Sequence, residues 1–172
     1  MKINGLSKVI VFTMITFLLA SCDAFKSVNS GSSSTNSTKK VDATMVKRKN
    51  VTNYGQKYVG VKYKYAGKDP KGFDCSGFTS YVMKSEGITV SSSSKMQATE
   101  GKSVPLNKVK PGDLIFFGKN GKVSHVAMVV SNTSDGISVV HSTSSKGVMV
   151  QNITKSTYWK PMIMFARDVI SQ

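Results

Sequence analysis

Cysteine is nearly absent from this chain, with only Cys22 and Cys75 among 172 residues. That excludes a fold held by a disulfide framework and a zinc site built on repeated cysteine pairs. Histidine is equally scarce, at His125 and His141, so any chemistry that needs an imidazole has two candidates. Acidic side chains are few, 9 against 24 Lys and Arg, for a formal net charge of +15. The excess is spread along the chain and favours polyanionic surroundings. No apolar run reaches the roughly 20 residues of a membrane-spanning helix. What is present, 40% hydrophobic residues without internal repeats, suffices for one domain with a core.

The first residues carry Lys2 and Lys8, then an apolar run from Val9 to Ala20. This order predicts an export signal over residues 1–21 rather than a short buried helix. Leu19-Ala20-Ser21-Cys22 resembles the lipobox of bacterial lipoproteins, which implies a lipidated Cys22 and a membrane anchor in the cell envelope. Cys75 is then an unpaired thiol in an oxidising compartment, so it must be buried or used. Residues 22–45 are rich in Ser, Thr and Lys and read as a flexible tether, with residues 46–172 as the domain. No helix-turn-helix, zinc-ligand spacing or aromatic-rich basic strand is legible, and export argues against nucleic acid as a partner. Anionic envelope polymers or lipid headgroups fit the charge better, and the chain is expected to be a monomer.

Within the domain, Val46 to Tyr58 reads as a first helix, followed by an extended Tyr-rich piece from Val61 to Tyr65. Asp69-Pro70-Lys71-Gly72 is a turn. After it, Asp74 caps a helix that begins near Cys75, buries Phe78, Tyr81 and Val82, and ends at Gly87. Four β-type segments follow: Leu114 to Phe117, His125 to Val130, Ile137 to His141 and Val148 to Ile153. Helices first and strands after imply an α+β fold with an antiparallel sheet. Pro111-Gly112-Asp113 reads as a turn into the central strand, with Asp113 a structural hydrogen-bond acceptor.

A thiol attacks as its thiolate, and the first turn of a helix favours an anion, so the pKa of Cys75 is expected to fall. A hairpin centred near Thr133 sets His125 opposite His141, with Cβ atoms roughly 4.5–5.5 Å apart on one face. Two imidazoles facing such a thiol supply nucleophile, base and orienter for acyl transfer. Spacing leaves open which imidazole takes which role, and a one-residue register shift would turn them to opposite faces.

Phe73-Asp74-Cys75-Ser76-Gly77-Phe78, Pro111-Gly112-Asp113-Leu114-Ile115-Phe116-Phe117, Ser124-His125-Val126-Ala127-Met128-Val129 and Val140-His141 resemble, in order and spacing, the NlpC-type cell-wall peptidases. The likeness runs from about Tyr54 to Ile153. It implies a papain-like α+β fold, with the nucleophile at a helix N-terminus packed on an antiparallel sheet. It also implies hydrolysis of peptidoglycan stem peptides, often after γ-D-glutamate, without metal or cofactor. The family's Cys, His and polar third residue fall on Cys75, His125 and His141. Tyr63 matches a tyrosine beside the nucleophile, although by composition it is a packing residue. Asp74 and Ser76 match positions that in some members read the free amine of a stem peptide, while as local structure they are a helix cap and a first-turn filler.

The chain departs from the pattern where many members read Leu-Pro-Arg-x-Ser-x-x-Gln. Here Val90 to Gln97 places Ser92 at the arginine position and keeps Ser94 and Gln97. The family's paired glycines appear as Ala66-Gly67. No wall-binding module is legible between Cys22 and the domain, so anchoring would supply proximity to substrate. Two other readings stand beside the peptidase: a papain-like lipid acyl hydrolase or acyltransferase, which a long apolar groove near Cys75 would favour, and a noncatalytic envelope-binding module.

Overall fold

Leu114-Ile115-Phe116-Phe117 lacks the alternation of a half-exposed strand because both of its faces are covered; all four residues are fully buried. Even- and odd-numbered residues of this run feed separate clusters. Leu114 and Phe116 join Phe73, Phe78, Val82, Val126, Met128 and Val140. Ile115 and Phe117 join Ala127, Val129, Val139, Ile153 and Ala166. The strand is thus the middle of the molecule, as the period-2 geometry of side chains requires.

The computed structural model describes residues 32–171. The expected export signal over residues 1–21 and Cys22 lie outside them. Helix α1 spans Ser32–Gln56. A two-stranded ribbon follows, β1 (Lys68–Asp69) with β2 (Gly72–Phe73), then α2 (Cys75–Lys84) and the single turn α3 (Ser94–Gln97). The six remaining strands are β3 (Lys102–Val104), β4 (Leu114–Lys119), β5 (Lys122–Thr133), β6 (Gly136–Thr143), β7 (Gly147–Asn152) and β8 (Ile163–Asp168). They form one antiparallel sheet in the order β3-β8-β4-β5-β6-β7. The α+β architecture expected from the order of elements is the one observed. Strands β3 and β8 escaped the sequence reading because β3 is three residues long and β8 shows no clean alternation of burial. No helix among the described residues is long and apolar enough to cross a membrane.

Part of the stretch read as tether is corrected: α1 already runs through residues 32–45. The physical reason lies in its last turns, where Arg48, Val51 and Thr52 are buried against the sheet. Docking those turns provides the costly helix nucleus, and extending it backwards through Lys39 to Lys47 adds a hydrogen bond per residue with no further nucleation. Val41, Met45 and Val46 on that extension stay exposed.

The first turn of α2 lies directly on the chain before the ribbon. Asp74 N–H donates to the Gly67 carbonyl at 2.9 Å, and a Cβ on Gly77 would stand 2.0 Å from that same oxygen. Glycine at 77 is therefore what lets the helix carrying Cys75 approach so closely. Ala66, next to Gly67 in the chain, adopts a φ of +56°, a left-handed conformation that costs an L-residue about 1 kcal/mol. Ala66→Gly is expected to raise stability in urea titrations by up to about 1 kcal/mol. A decrease would show that the methyl group makes compensating contacts.

Candidate active site

Cys75 is the first residue of α2, and Asp74 is its N-cap, with Oδ1 accepting from Gly77 N–H at 2.6 Å. The expected cap is thus present. The segment ahead of it is tied down on two sides: Ser142 Oγ donates to the Phe73 carbonyl at 2.8 Å, and Tyr63 runs beside Phe73 through a short parallel bridge. Ser76 Oγ stands 3.1 Å from Asp74 Oδ1 and 2.9 Å from the Ser92 carbonyl. Buried Gln97 completes this lattice. Its Nε2 donates to the carbonyls of Ser76 and Ser91, and its Oε1 accepts from Thr79 Oγ1 at 2.9 Å. Gln97 therefore pins the 91–97 loop to α2.

The two histidines come together by a route that differs from the expected register. Pairs Met128↔Val140 and Val129↔Val139, with an irregularity before Ser131↔Ser138, shift β6 by two residues relative to a hairpin centred at Thr133. His125 is therefore not opposite His141 but diagonal to it. Because the shift is two residues, both side chains keep the same face. His125 Nε2 lies 3.0 Å from His141 Nδ1, so Nδ1 is the ring nitrogen of His125 turned away from that contact.

The ordered β5–β6 pairs stop at Met128↔Val140. Beyond that point no β5–β6 pair is formed among the described residues, and the Val126 backbone N–H there favours the thiolate form of Cys75.

Cys75 and His125 line one cleft of about 540 Å³ together with Tyr63, Ser124, Lys146, Gln151 and Trp159. His141 is fully buried behind them. Asp74 and Ser76 do not line this cleft; their contacts are those of a cap and a first-turn residue. A larger depression of about 780 Å³ lies over Tyr54, Tyr81 and Lys84, and it contains neither Cys75 nor a histidine. Trp159 went unnoticed in the sequence, yet its ring stacks on His125 with centroids 4.5 Å apart and touches His141 at 5.1 Å. Its being the sole Trp of the chain was the one available signal.

Burial dominates the electrostatics. It pushes the Cys75 thiol up, and the Asp74 charge adds to this, while N–H groups of Val126, Ser76 and Cys75 pull the other way. The expectation of a lowered thiol pKa is overturned: helix N–H groups do favour the thiolate, but desolvation outweighs them. Burial also holds both imidazoles low, His125 at about 3, with His141 adding to the effect, and His141 at about 4. The resting pair is a neutral thiol beside a neutral imidazole. Such a pair can work by general-base transfer as the nucleophile attacks.

These shifts have a consequence for folding. Between an ordinary histidine value of 6.5 and about 4, the unfolded chain binds protons at His125 and His141 that the native state refuses. Stability therefore falls as pH drops through this window, by up to about 1.4 kcal/mol per pH unit for each imidazole. Urea titrations between about pH 7 and pH 5, above most of the carboxylate range, should show this slope in the wild type and a flatter one in a His125→Gln/His141→Gln double variant. Equal slopes would refute it.

Residues 60–168 match the model of the NlpC/P60 family. The chain is 37% identical over 124 residues to a gamma-DL-glutamyl hydrolase of Bacillus subtilis, covering 69% of this chain and 29% of that protein. It is 42% identical over 83 residues to a gamma-D-glutamyl-L-lysine dipeptidyl-peptidase of Bacillus cereus, covering 46% and 25%. The crystal structure of the NlpC/p60 domain of the peptidoglycan hydrolase SagA superposes with a TM-score of 0.60 at 29% identity, over 70% of this chain and 97% of that one. The match thus spans 29% and 25% of these two curated relatives, and the part matching the family model, residues 60–168, holds Cys75, His125 and His141: the chain belongs to the NlpC/P60 family.

Proposed function

We propose that this chain is a cysteine peptidase that hydrolyses peptidoglycan stem peptides, at the bond between γ-D-glutamate and the following diamino acid. Cys75 is the nucleophile, His125 the general base and His141 the residue that orients it. The observation that carries this reading is the convergence of Cys75 and His125 on one cleft, with His141 Nδ1 3.0 Å behind the base. In the proposed cycle the Cys75 proton passes to His125 Nδ1 as sulfur attacks the amide carbon. The first-turn N–H groups of α2 face the developing negative charge, and Tyr63 stands on the same cleft wall. His125 then protonates the departing amine, leaving a thioester that water, deprotonated by His125, hydrolyses.

The cleft wall contributed by Ser142 to Lys146 and Gln151 is polar, which favours a peptide over a lipid acyl chain. The names of the two curated relatives support the γ-glutamyl bond. Lipidation of Cys22 and a membrane anchor belong to the same proposal, since an anchored basic domain would lie against an anionic wall. The test is incubation of the full chain with purified peptidoglycan and mass spectrometry of the released fragments. Ends created between D-glutamate and the diamino acid are expected. No release alongside an active control hydrolase, or cuts confined to the glycan, would overturn the reading.

A further inference from the structure

For His125 Nδ1 to accept the Cys75 proton, the neutral ring must carry its own proton on Nε2. That N–H faces His141 Nδ1, so Nδ1 of His141 has to be the acceptor and His141 must hold its proton on Nε2. Nε2 of His141 is buried, and among the described residues it makes no hydrogen bond of normal geometry. Without an acceptor to hold a proton there, the opposite arrangement competes. In it His141 Nδ1–H donates to His125 Nε2, and His125 presents a proton to Cys75 instead of a lone pair.

One side chain is placed to settle the choice. In the β6–β7 ladder Val139 pairs with Gln151 and His141 with Met149, so Gln151 lies diagonally beside His141 on the same face. Its Oε1 accepts from Trp159 Nε1–H at 3.1 Å. An indole nitrogen only donates, which fixes the amide with its oxygen on the indole and leaves a second lone pair on that oxygen. The same amide favours the protonated form of His141.

We infer that Gln151 is a positioning residue: its Oε1, held by Trp159, is the acceptor for His141 Nε2–H and thereby sets the tautomer of both histidines. The relay runs from Trp159 Nε1–H to Gln151 Oε1, from His141 Nε2–H to that same oxygen, from His125 Nε2–H to His141 Nδ1, and from the Cys75 thiol to His125 Nδ1. When the thiol proton moves to His125, the positive charge that forms is faced through His141 by the oxygen end of the amide dipole. The proposal rests on the Cys75–His125–His141 reading and adds what makes the base competent.

The experiment is long-range ¹H–¹⁵N NMR of the histidine-labelled full chain near neutral pH, which reads each ring's tautomer without any substrate. Both rings are expected as Nε2–H. In Gln151→Leu both should move towards Nδ1–H, and alkylation of Cys75 by iodoacetamide should slow by roughly tenfold, the worth of one buried hydrogen bond. Gln151→Glu, which keeps an acceptor oxygen, should restore the Nε2–H tautomers. A wild-type His141 found as Nδ1–H would overturn the proposal whether or not any variant folds, as would a Gln151→Leu protein with unchanged tautomers and alkylation rate. Since neither readout uses peptidoglycan, a protein that shows the relay but cleaves no wall would refute the substrate reading alone.

Discussion

Cys75→Ala is expected to leave the fold intact and to lower kcat/KM on peptidoglycan stem peptides by at least about 10⁴-fold, the scale seen when a hydrolase loses its nucleophile. Two structural facts separate these effects. Cys75 is only partly buried and is a peripheral neighbour of the core cluster around Phe73 and Phe78, so removing its sulfur should change stability by less than about 1 kcal/mol. The cap of α2 uses Asp74 and Gly77, neither of which is touched. Nothing else lining the cleft replaces the thiol: Ser124, Ser142 and Ser145 share the lining but none begins a helix. The comparison to make is turnover by wild type and variant at matched circular dichroism and urea midpoint. Equal turnover would remove Cys75 from the chemistry and return the lipid-directed and noncatalytic readings to the front.

The second large effect concerns folding. Arg48 on α1 is buried and donates in four directions: Nη1 to Asp113 Oδ1 at 2.6 Å and the Pro111 carbonyl at 2.9 Å, Nη2 to Asp168 Oδ2 at 2.6 Å and Ser171 Oγ at 3.0 Å. It ties the helix to the start of β4 and to the chain after β8. Arg48→Met keeps much of the volume but strands two carboxylates, one of them on Asp113, which is 1% exposed. Breaking one side of such a pair costs about 3–5 kcal/mol.

Burial already raises the Asp113 pKa against the pull of Arg48, while Asp168 is held low by hydrogen bonds from Ser171 and Ile170 and by the Arg48 charge. A depressed carboxylate contributes stability above its unfolded pKa and loses it as pH falls through the folded value. In the variant both carboxyls should rise, so the deficit relative to wild type should shrink on acidification. Urea titration at neutral and mildly acid pH measures both statements. A loss below about 1 kcal/mol at neutral pH would show that the network is replaceable. A deficit that grows towards acid pH would contradict the assignment of its source.

Much of the site was legible before any coordinates. Asp74 before Cys75 announces a capped helix because only a few side chains can satisfy free first-turn N–H groups. Two histidines at strand positions with matching parity announce a shared face. The proximity of the two histidines survived a wrong register because the error was even: a shift of two residues moves a side chain along its face, whereas a shift of one would have turned it away. Gln151 was within reach of the same hairpin arithmetic applied to β6 and β7. Trp159 was not, since it stands outside the ladders and reaches the imidazoles only through the way its segment folds back.

Sequence alone was enough for the fold class, for picking out Cys75, His125 and His141 as candidates, and for the α2 cap and the turn at Asp113. These follow from local rules, residue periodicity and cap chemistry, and from a resemblance carried by short contiguous words. Tertiary structure alone decided that the polar stretch ahead of Val46 is helical, since its end is docked on Asp113 and Asp168. It alone decided where the β5–β6 pairing ends, and the sign of the Cys75 shift. That sign is set by a competition between desolvation and hydrogen bonding. Both terms depend on which atoms from distant parts of the chain surround the thiol, and no local pattern of residues encodes that.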